Sequence, residues 1–220
     1  MSIRAVIFDL DGTLIDSLED IATALNAALE AHRLPAHPLE SYRRFVGEGV
    51  ANMVQRALPE GSEALFEPIL ADYRVRYGDH MMRATRPYPG IADALLQLQR
   101  KQLPLAVLSN KPDLPTNRLV AHFFPRTFRQ VYGERMGMPR KPDPQSSLEI
   151  AAALGFRPAE CAFVGDTRVD MQTARAAGML PVGVTWGFRD ELELRTSGAQ
   201  RVVHHAADLV AALPLAEDAG

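Results

Sequence analysis

Apolar positions along this chain follow two rhythms. Ala5, Val6, Ile7 and Phe8 stand in a row, rich in β-branched and aromatic types, and read as a strand buried on both faces. The spacing then turns helical. Ser17 followed by Asp20 resembles a capping box, and Ile21, Leu25, Ala28 and Leu29 recur at helical intervals. The segment LPAHP (34–38) breaks that helix, and further helices are expected over 39–46, 50–58 and 62–79, separated by Gly47, Gly49 and Pro59-Glu60-Gly61. No strand signal interrupts this stretch, which therefore reads as a helical insertion.

Tyr88-Pro89-Gly90 ends it. A helix marked by Ile91, Ala94, Leu95 and Leu98 leads to an apolar strand, LPLAVLSN (103–110). A helix over 113–122, a strand over 127–133, a helix after Pro144, the strand CAFVGD (161–166), a helix over 168–177 stopping at Gly178 and the strand LPVGVTW (180–186) complete the alternation. Strands without polar alternation, separated by helices, predict a doubly wound parallel sheet covered on both faces: an α/β fold. The terminal LAEDAG reads as a frayed tail.

Composition narrows the class. The 220 residues and 47% hydrophobic content suffice for a large core. A net charge of −3 without a basic block disfavours nucleic acid as a partner, and no apolar run is long enough to span a bilayer. The start of the chain does not resemble a secretory signal. The lone Cys161 allows no internal disulfide and reads as a small buried strand residue. These features fit a cytoplasmic protein.

The chemistry gathers at predicted strand ends. In FDLDGT, Asp9 and Asp11 lie one residue apart and face the same side of an extended chain. Two carboxylates about 4 Å apart repel by roughly 4 kcal/mol at an effective dielectric near 20, so a shared proton, a cation or escape into solvent must compensate. Ser109, Asn110 and Lys111 end a second strand, Asp166 and Asp170 lie at and beyond the end of a third, and Lys141 sits in RKPDP before a helix that Asp143 caps. In a doubly wound sheet all of these edge one crevice. Carboxylates from two strands suit a hard cation such as Mg²⁺; a hydroxyl, a helix N-terminus and an ammonium suit a phosphoryl group. Taken singly, each has a plainer reading: Asp-Leu-Asp-Gly and Ser-Asn as turns, Lys141 as a solvated lysine, Asp166 and Asp170 as helix-capping acids.

Taken in order, the sequence resembles the haloacid dehalogenase superfamily, in particular its phosphoglycolate-phosphatase-like members. FDLDGTL, LSNK, RKPDP and GDTRVD stand as the four family motifs, and the helical insertion matches the family's small cap in position and length. The resemblance implies a Rossmann-like core formed by residues 1–15 and 86–220, a helical cap formed by 16–85, and a phosphatase acting on a small phosphomonoester, phosphoglycolate-like or a sugar phosphate. It implies Asp9 as the nucleophile that becomes an aspartyl-phosphate, and Asp11 as general acid and then base. Ser109, Lys141 and Asn110 would bind the phosphoryl oxygens. Thr13 would line the phosphate site and orient Asp11. Mg²⁺ would be held by Asp9, the Asp11 carbonyl, Asp166 and Asp170. The implied partner is a small phosphorylated metabolite, not nucleic acid or membrane, with the chain a monomer or homodimer.

Some residues depart from the common pattern. Thr167 replaces a frequent Ser, a change expected to be silent, and the third motif lacks its usual Asp-Ser neighbour. The presence of Asp11 favours phosphoryl over carbon–halogen chemistry. The stretch 14–84 contains no lysine, against phosphonate hydrolysis through an imine. Gly47 and Gly49, in FVGEGVAN, are read as facing the crevice or as a plain interhelical turn, and Arg56 as solvated or as a contact for a substrate carboxylate. A β-phosphoglucomutase-like mutase and a catalytically silent regulatory binding protein are the competing readings.

Overall fold

A computed structural model describes residues 2–215; residues 216–220 of the expected tail lie outside it. Strand β1 (Ala5–Phe8) forms the interior of a six-stranded parallel sheet with β4 (Leu105–Pro112), β5 (Gln130–Glu134), β6 (Cys161–Gly165), β7 (Leu180–Val184) and β8 (Arg201–Val203), in the order β5-β4-β1-β6-β7-β8. The remaining strands are β2 (Ile15–Asp16) and β3 (Arg86–Pro87). Helices α1 (Leu18–Ala31), α2 (Leu39–Phe45), α3 (Val50–Ala57) and α4 (Phe66–His80) precede β3. Helices α5 (Ile91–Arg100), α6 (Asp113–Phe123), α7 (Gln145–Leu154), α8 (Arg168–Ala176), α9 (Glu191–Thr196) and α10 (Leu209–Ala212) follow it.

The apolar run of β1 is explained by two-sided burial. Alternate residues of a strand point to opposite faces. Val6 and Phe8 join a core with Leu95 and Leu98 of α5, Leu119 of α6 and Leu209 of α10. Ala5 and Ile7 join a second core with Ile150 and Ala151 of α7 and Ala174 of α8. Parallel pairing sets Phe8 beside Val107 and Val164, so the chain leaves β1, β4 and β6 at one edge of the sheet. This is the doubly wound α/β architecture that the alternation of elements predicts.

The insertion is helical as expected, but it is not free of strands. Ile15 pairs with Pro87 and Asp16 with Arg86 in an antiparallel ribbon of β2 and β3, where the chain enters and leaves. The Ser17–Asp20 capping box does not form. Ser17 makes no cap bond to α1, and its hydroxyl donates to Asp11 at 2.5 Å. The Asp20 carboxylate instead accepts from the Ala84 and Thr85 amides at 2.9 and 2.8 Å and from the Thr85 hydroxyl at 2.7 Å. Donors at the returning strand outcompete the local cap because they fill both oxygens of a buried carboxylate. Among the described residues no helix is long and apolar enough to cross a membrane.

Candidate active site

The turn after β1 carries both aspartates into the lining of one cavity. Gly12 adopts φ 86°, and a Cβ there would lie 2.3 Å from Asp166 Oδ2, so only glycine permits this approach. Asp9 and Asp11 remain buried, and each meets its own ammonium group. Lys141 Nζ donates to Asp9 Oδ1 at 2.8 Å and to Asp170 Oδ1 at 2.7 Å. Lys111 Nζ reaches both oxygens of Asp11 at 2.9 and 2.8 Å, with its ammonium 4.7 Å from the centre of the Tyr77 ring. The repulsion between the aspartates is thus offset by two lysines, one for each.

Asp166, at the end of β6, is fully buried and accepts from the Phe188 amide at 2.7 Å and the Thr13 hydroxyl at 3.2 Å. Thr13 therefore serves Asp166, not Asp11; the turn at Gly12 carries its hydroxyl to the β6 side. The same geometry depends on Gly187, where a Cβ would lie 2.3 Å from the Gly12 carbonyl oxygen. Asp170 does two jobs at once. Its Oδ2 accepts from the Thr167 amide and hydroxyl at 3.0 and 2.7 Å, capping α8, while Oδ1 takes Lys141.

Carboxylate oxygens of Asp9, Asp166 and Asp170 come within 4.8 Å of one another. Burial pushes the Asp9 carboxyl up to about 7, with Asp170 and Asp11 adding to the shift and Lys141 opposing it. Burial, then Asp170 and Asp9, hold Asp166 well above the carboxylate range. Burial alone would depress Lys141, but Asp170 and Asp9 outweigh it and raise its pKa. One lysine bonds two of the three buried carboxylates, Asp9 and Asp170, and none among the described residues bonds Asp166, so the cluster lacks matching positive charge in a low-dielectric setting. Oxygen donors so placed fit a hard divalent cation.

Ser109 is buried and its oxygen accepts from the Lys111 amide at 3.3 Å. Asn110 positions Lys141: its side chain accepts from the Lys141 amide at 2.9 Å and donates to the Lys141 carbonyl at 3.0 Å and the Gly47 carbonyl at 3.2 Å. Asp143 accepts from the Gln145 amide at 2.9 Å, just ahead of α7. Gly47 and Gly49 line a cavity of about 40 Å³ with Asp9, Asp11, Ser109 and Asn110. Arg56 lies elsewhere; it pairs with Glu48 and donates to the Phe45 carbonyl at 3.1 Å. Glu48 also pairs with Arg168 at the start of α8. Arg189 reaches the Arg43 and Val46 carbonyls, the latter at 3.1 Å, and Arg43 donates to the Gly187 carbonyl at 2.9 Å. Cys161 is buried in β6, where burial pushes its thiol up to about 11.

Residues 3–178 match the family model for haloacid dehalogenase-like hydrolases. The chain belongs to that family. Within this haloacid dehalogenase-like family it is similar to the phosphoglycolate phosphatase of Chromobacterium violaceum, at 36% identity over 94% of this chain and 95% of the relative. The phosphoglycolate phosphatase of Neisseria meningitidis is 38% identical over 90% of this chain and 87% of its own. A crystal structure of a proposed phosphoglycolate phosphatase from Lactobacillus delbrueckii subsp. bulgaricus superposes with a TM-score of 0.92, at 34% identity over 99% of this chain and 100% of that one.

Sequence reasoning missed three groups of this haloacid dehalogenase-like site and the partner of a fourth. Lys111 stands in the second motif, but nothing local indicates that it reaches Asp11. Ser17 carries a cap signature that hides its bond to Asp11. The Phe188 amide and Arg189 lie beyond the last strand that the apolar pattern marks; Phe188 bonds Asp166, 22 residues back, and Arg189 bonds Val46, 143 residues back.

Proposed function

We propose that this chain is a Mg²⁺-dependent phosphatase that cleaves a small phosphomonoester through an aspartyl-phosphate on Asp9, with phosphoglycolate, the substrate named by its relatives, as its substrate. The chain is a phosphoric monoester hydrolase of the haloacid dehalogenase-like family. The observation that carries the mechanism is the division of labour around the turn: Asp9 is fixed by Lys141, and Asp11 independently by Ser17 and Lys111.

Asp9 attacks phosphorus, forming the carboxyl–phosphorus bond as the bond to the ester oxygen breaks. Asp11 gives its proton to the departing oxygen. In the second step Asp11, now a carboxylate, takes a proton from water whose oxygen bonds phosphorus, and Asp9 is released with free phosphate. Lys141, the Ser109 hydroxyl and the Asn110 amide bind the transferring oxygens, and Asn110 also keeps Lys141 in place. Asp9, Asp166, Asp170 and the Asp11 carbonyl would hold Mg²⁺, whose charge offsets the repulsion between carboxylate nucleophile and phosphate dianion. Residues 1–15 and 86–220 form the catalytic core in this reading. Residues 16–85 form the cap, hinged at the β2–β3 ribbon and closing over the intermediate.

The test is phosphate release from 2-phosphoglycolate with Mg²⁺, together with trapping of a phosphoryl group on Asp9. Free phosphate as the product supports the phosphatase; an isomeric phosphate ester without phosphate release indicates a mutase and overturns it.

A further inference from the structure

The insertion brings one side chain close to Asp11 that the mechanism does not use. Tyr73 and Tyr77 stand four residues apart on α4 and therefore share a face. Their rings stack, with centres 5.5 Å apart and planes 16° from parallel. Tyr77 is 4% exposed, yet its hydroxyl finds no hydrogen-bond partner among the described residues. A buried hydroxyl without a partner is costly, so what this position offers its surroundings is the ring. The Lys111 ammonium lies over that ring, 4.7 Å from its centre, while it donates to both oxygens of Asp11. The face of an aromatic ring is its negative side. A cation within about 6 Å of it is attracted, the more so where water is excluded, and the Lys111 side chain is buried.

We propose that Tyr77 is a positioning residue for proton transfer: its ring fixes Lys111, and Lys111 fixes the carboxylate of Asp11. The proposal rests on the phosphatase reading above, in which Asp11 serves both steps, and adds a residue that acts on it from a distance. A lysine ammonium is a point charge on a flexible four-carbon stem, and a carboxylate alone leaves it free to swing. A ring packed against it removes that freedom. Lys111 comes from β4 and Tyr77 from α4, so the contacts run from the sheet to the insertion. The Ser17 hydroxyl, at the entry to the insertion, holds Asp11 Oδ1 at 2.5 Å. Asp11 is thus gripped from both the beginning of the insertion and its last helix, and proton transfer becomes efficient as the insertion seats on the sheet.

The experiment uses p-nitrophenyl phosphate to separate the two steps. Its leaving group needs little protonation, so p-nitrophenol released in the first turnover reports attack by Asp9, and the steady state that follows reports the water step that Asp11 assists. Two ring-free variants, Tyr77→Leu and Tyr77→Met, should keep the rate of the first phase and slow the second roughly tenfold. Tyr77→Phe retains the ring and should retain both phases and the melting temperature. In a Lys111→Met background Tyr77→Leu should slow the second phase no further, because the ring acts through the ammonium. Equal slowing of both phases in the ring-free variants overturns the proposal. So does a loss in Tyr77→Phe that matches Tyr77→Leu, or a full further loss in the Lys111→Met background, and in each case the phosphatase reading stands. Native protein that releases neither p-nitrophenol nor phosphate defeats the phosphatase reading itself, and the proposal with it.

Discussion

On the sheet side of the cavity the functional groups are charged, buried and held by other charges: Asp9 by Lys141, Asp11 by Lys111, Asp170 by Lys141 and the start of α8. On the insertion side the wall is Ile21, Val46, Val50 and Met53 with two glycines. What ties that wall down is a set of arginines, the largely buried Arg189 and the half-exposed Arg43 reaching main-chain carbonyls and the half-exposed Arg168 reaching Glu48. Removing one member of a buried ion pair strands the other, at a cost of about 3–5 kcal/mol. A bond from a partly exposed arginine to a carbonyl contributes about 1 kcal/mol. The contrast separates a rigid half, held by buried ion pairs, from a half held by bonds that each cost little to break.

The largest effect that tests this contrast is Asp9→Asn. It removes the nucleophile from the rigid half, and phosphate release should fall to the uncatalysed background even when the variant remains folded. Exhaustive chelation should have nearly the same effect, reversed by Mg²⁺ but not by Ca²⁺, which takes more ligands at longer distance. Full activity after chelation would remove the cation from the acidic cluster.

Asp11→Asn should be graded. General acid–base work is worth about 10²–10⁴-fold, so an alkyl phosphate should suffer that loss. p-Nitrophenyl phosphate, whose leaving group needs little protonation, should still phosphorylate the enzyme in a burst. Equal defects on both esters would count against the acid role of Asp11.

On the other half, Arg189→Ala removes donors to the Arg43 and Val46 carbonyls. A change of about three- to tenfold in KM for phosphoglycolate is expected, with kcat for p-nitrophenyl phosphate nearly constant. Parallel losses on both substrates would place Arg189 with the rigid half instead.

The smallest effect is one of pH. Burial would raise Glu48, but Arg168 and Arg56 outweigh it and hold its carboxyl below the ordinary range. A depressed folded-state value stabilises the fold above the unfolded carboxylate pKa and is lost as pH falls through the folded value. Glu48→Gln should therefore cost about 0.2–1 kcal/mol near neutrality, and thermal melts of the two proteins should converge in acid.

The sheet half of the site was largely legible in the sequence because three of its four motifs lie at strand ends. Apolar runs such as 5–8 and 161–165 announce the strands, and parallel pairing carries Asp9, Ser109 and Asp166 to one edge without further information. The neighbours of those motifs were less legible. Ser17 and Asp20 satisfy a local rule yet spend their side chains on Asp11 and Thr85, since sequence spacing registers only partners within a turn or two. The ribbon of β2 and β3 has two residues per strand, too few to show alternation. The segment after 186 carries β8, α9 and α10, all short, and its contributions to the site are a main-chain amide and an arginine that no local pattern marks.

The order of strands has a consequence for biosynthesis. The strand leading to Asp9 is made before the two that flank it, which begin at residues 105 and 161. At about 5–20 residues per second, a nascent chain carries β1 without its first partner for roughly 5–20 s and without its second for roughly 8–30 s. Throughout that interval four apolar residues with open edges on both sides are available to other chains. The protein's exposure to aggregation is thus greatest on the ribosome, and a substitution that slows the arrival of β6 would lower yield while leaving the finished enzyme unchanged.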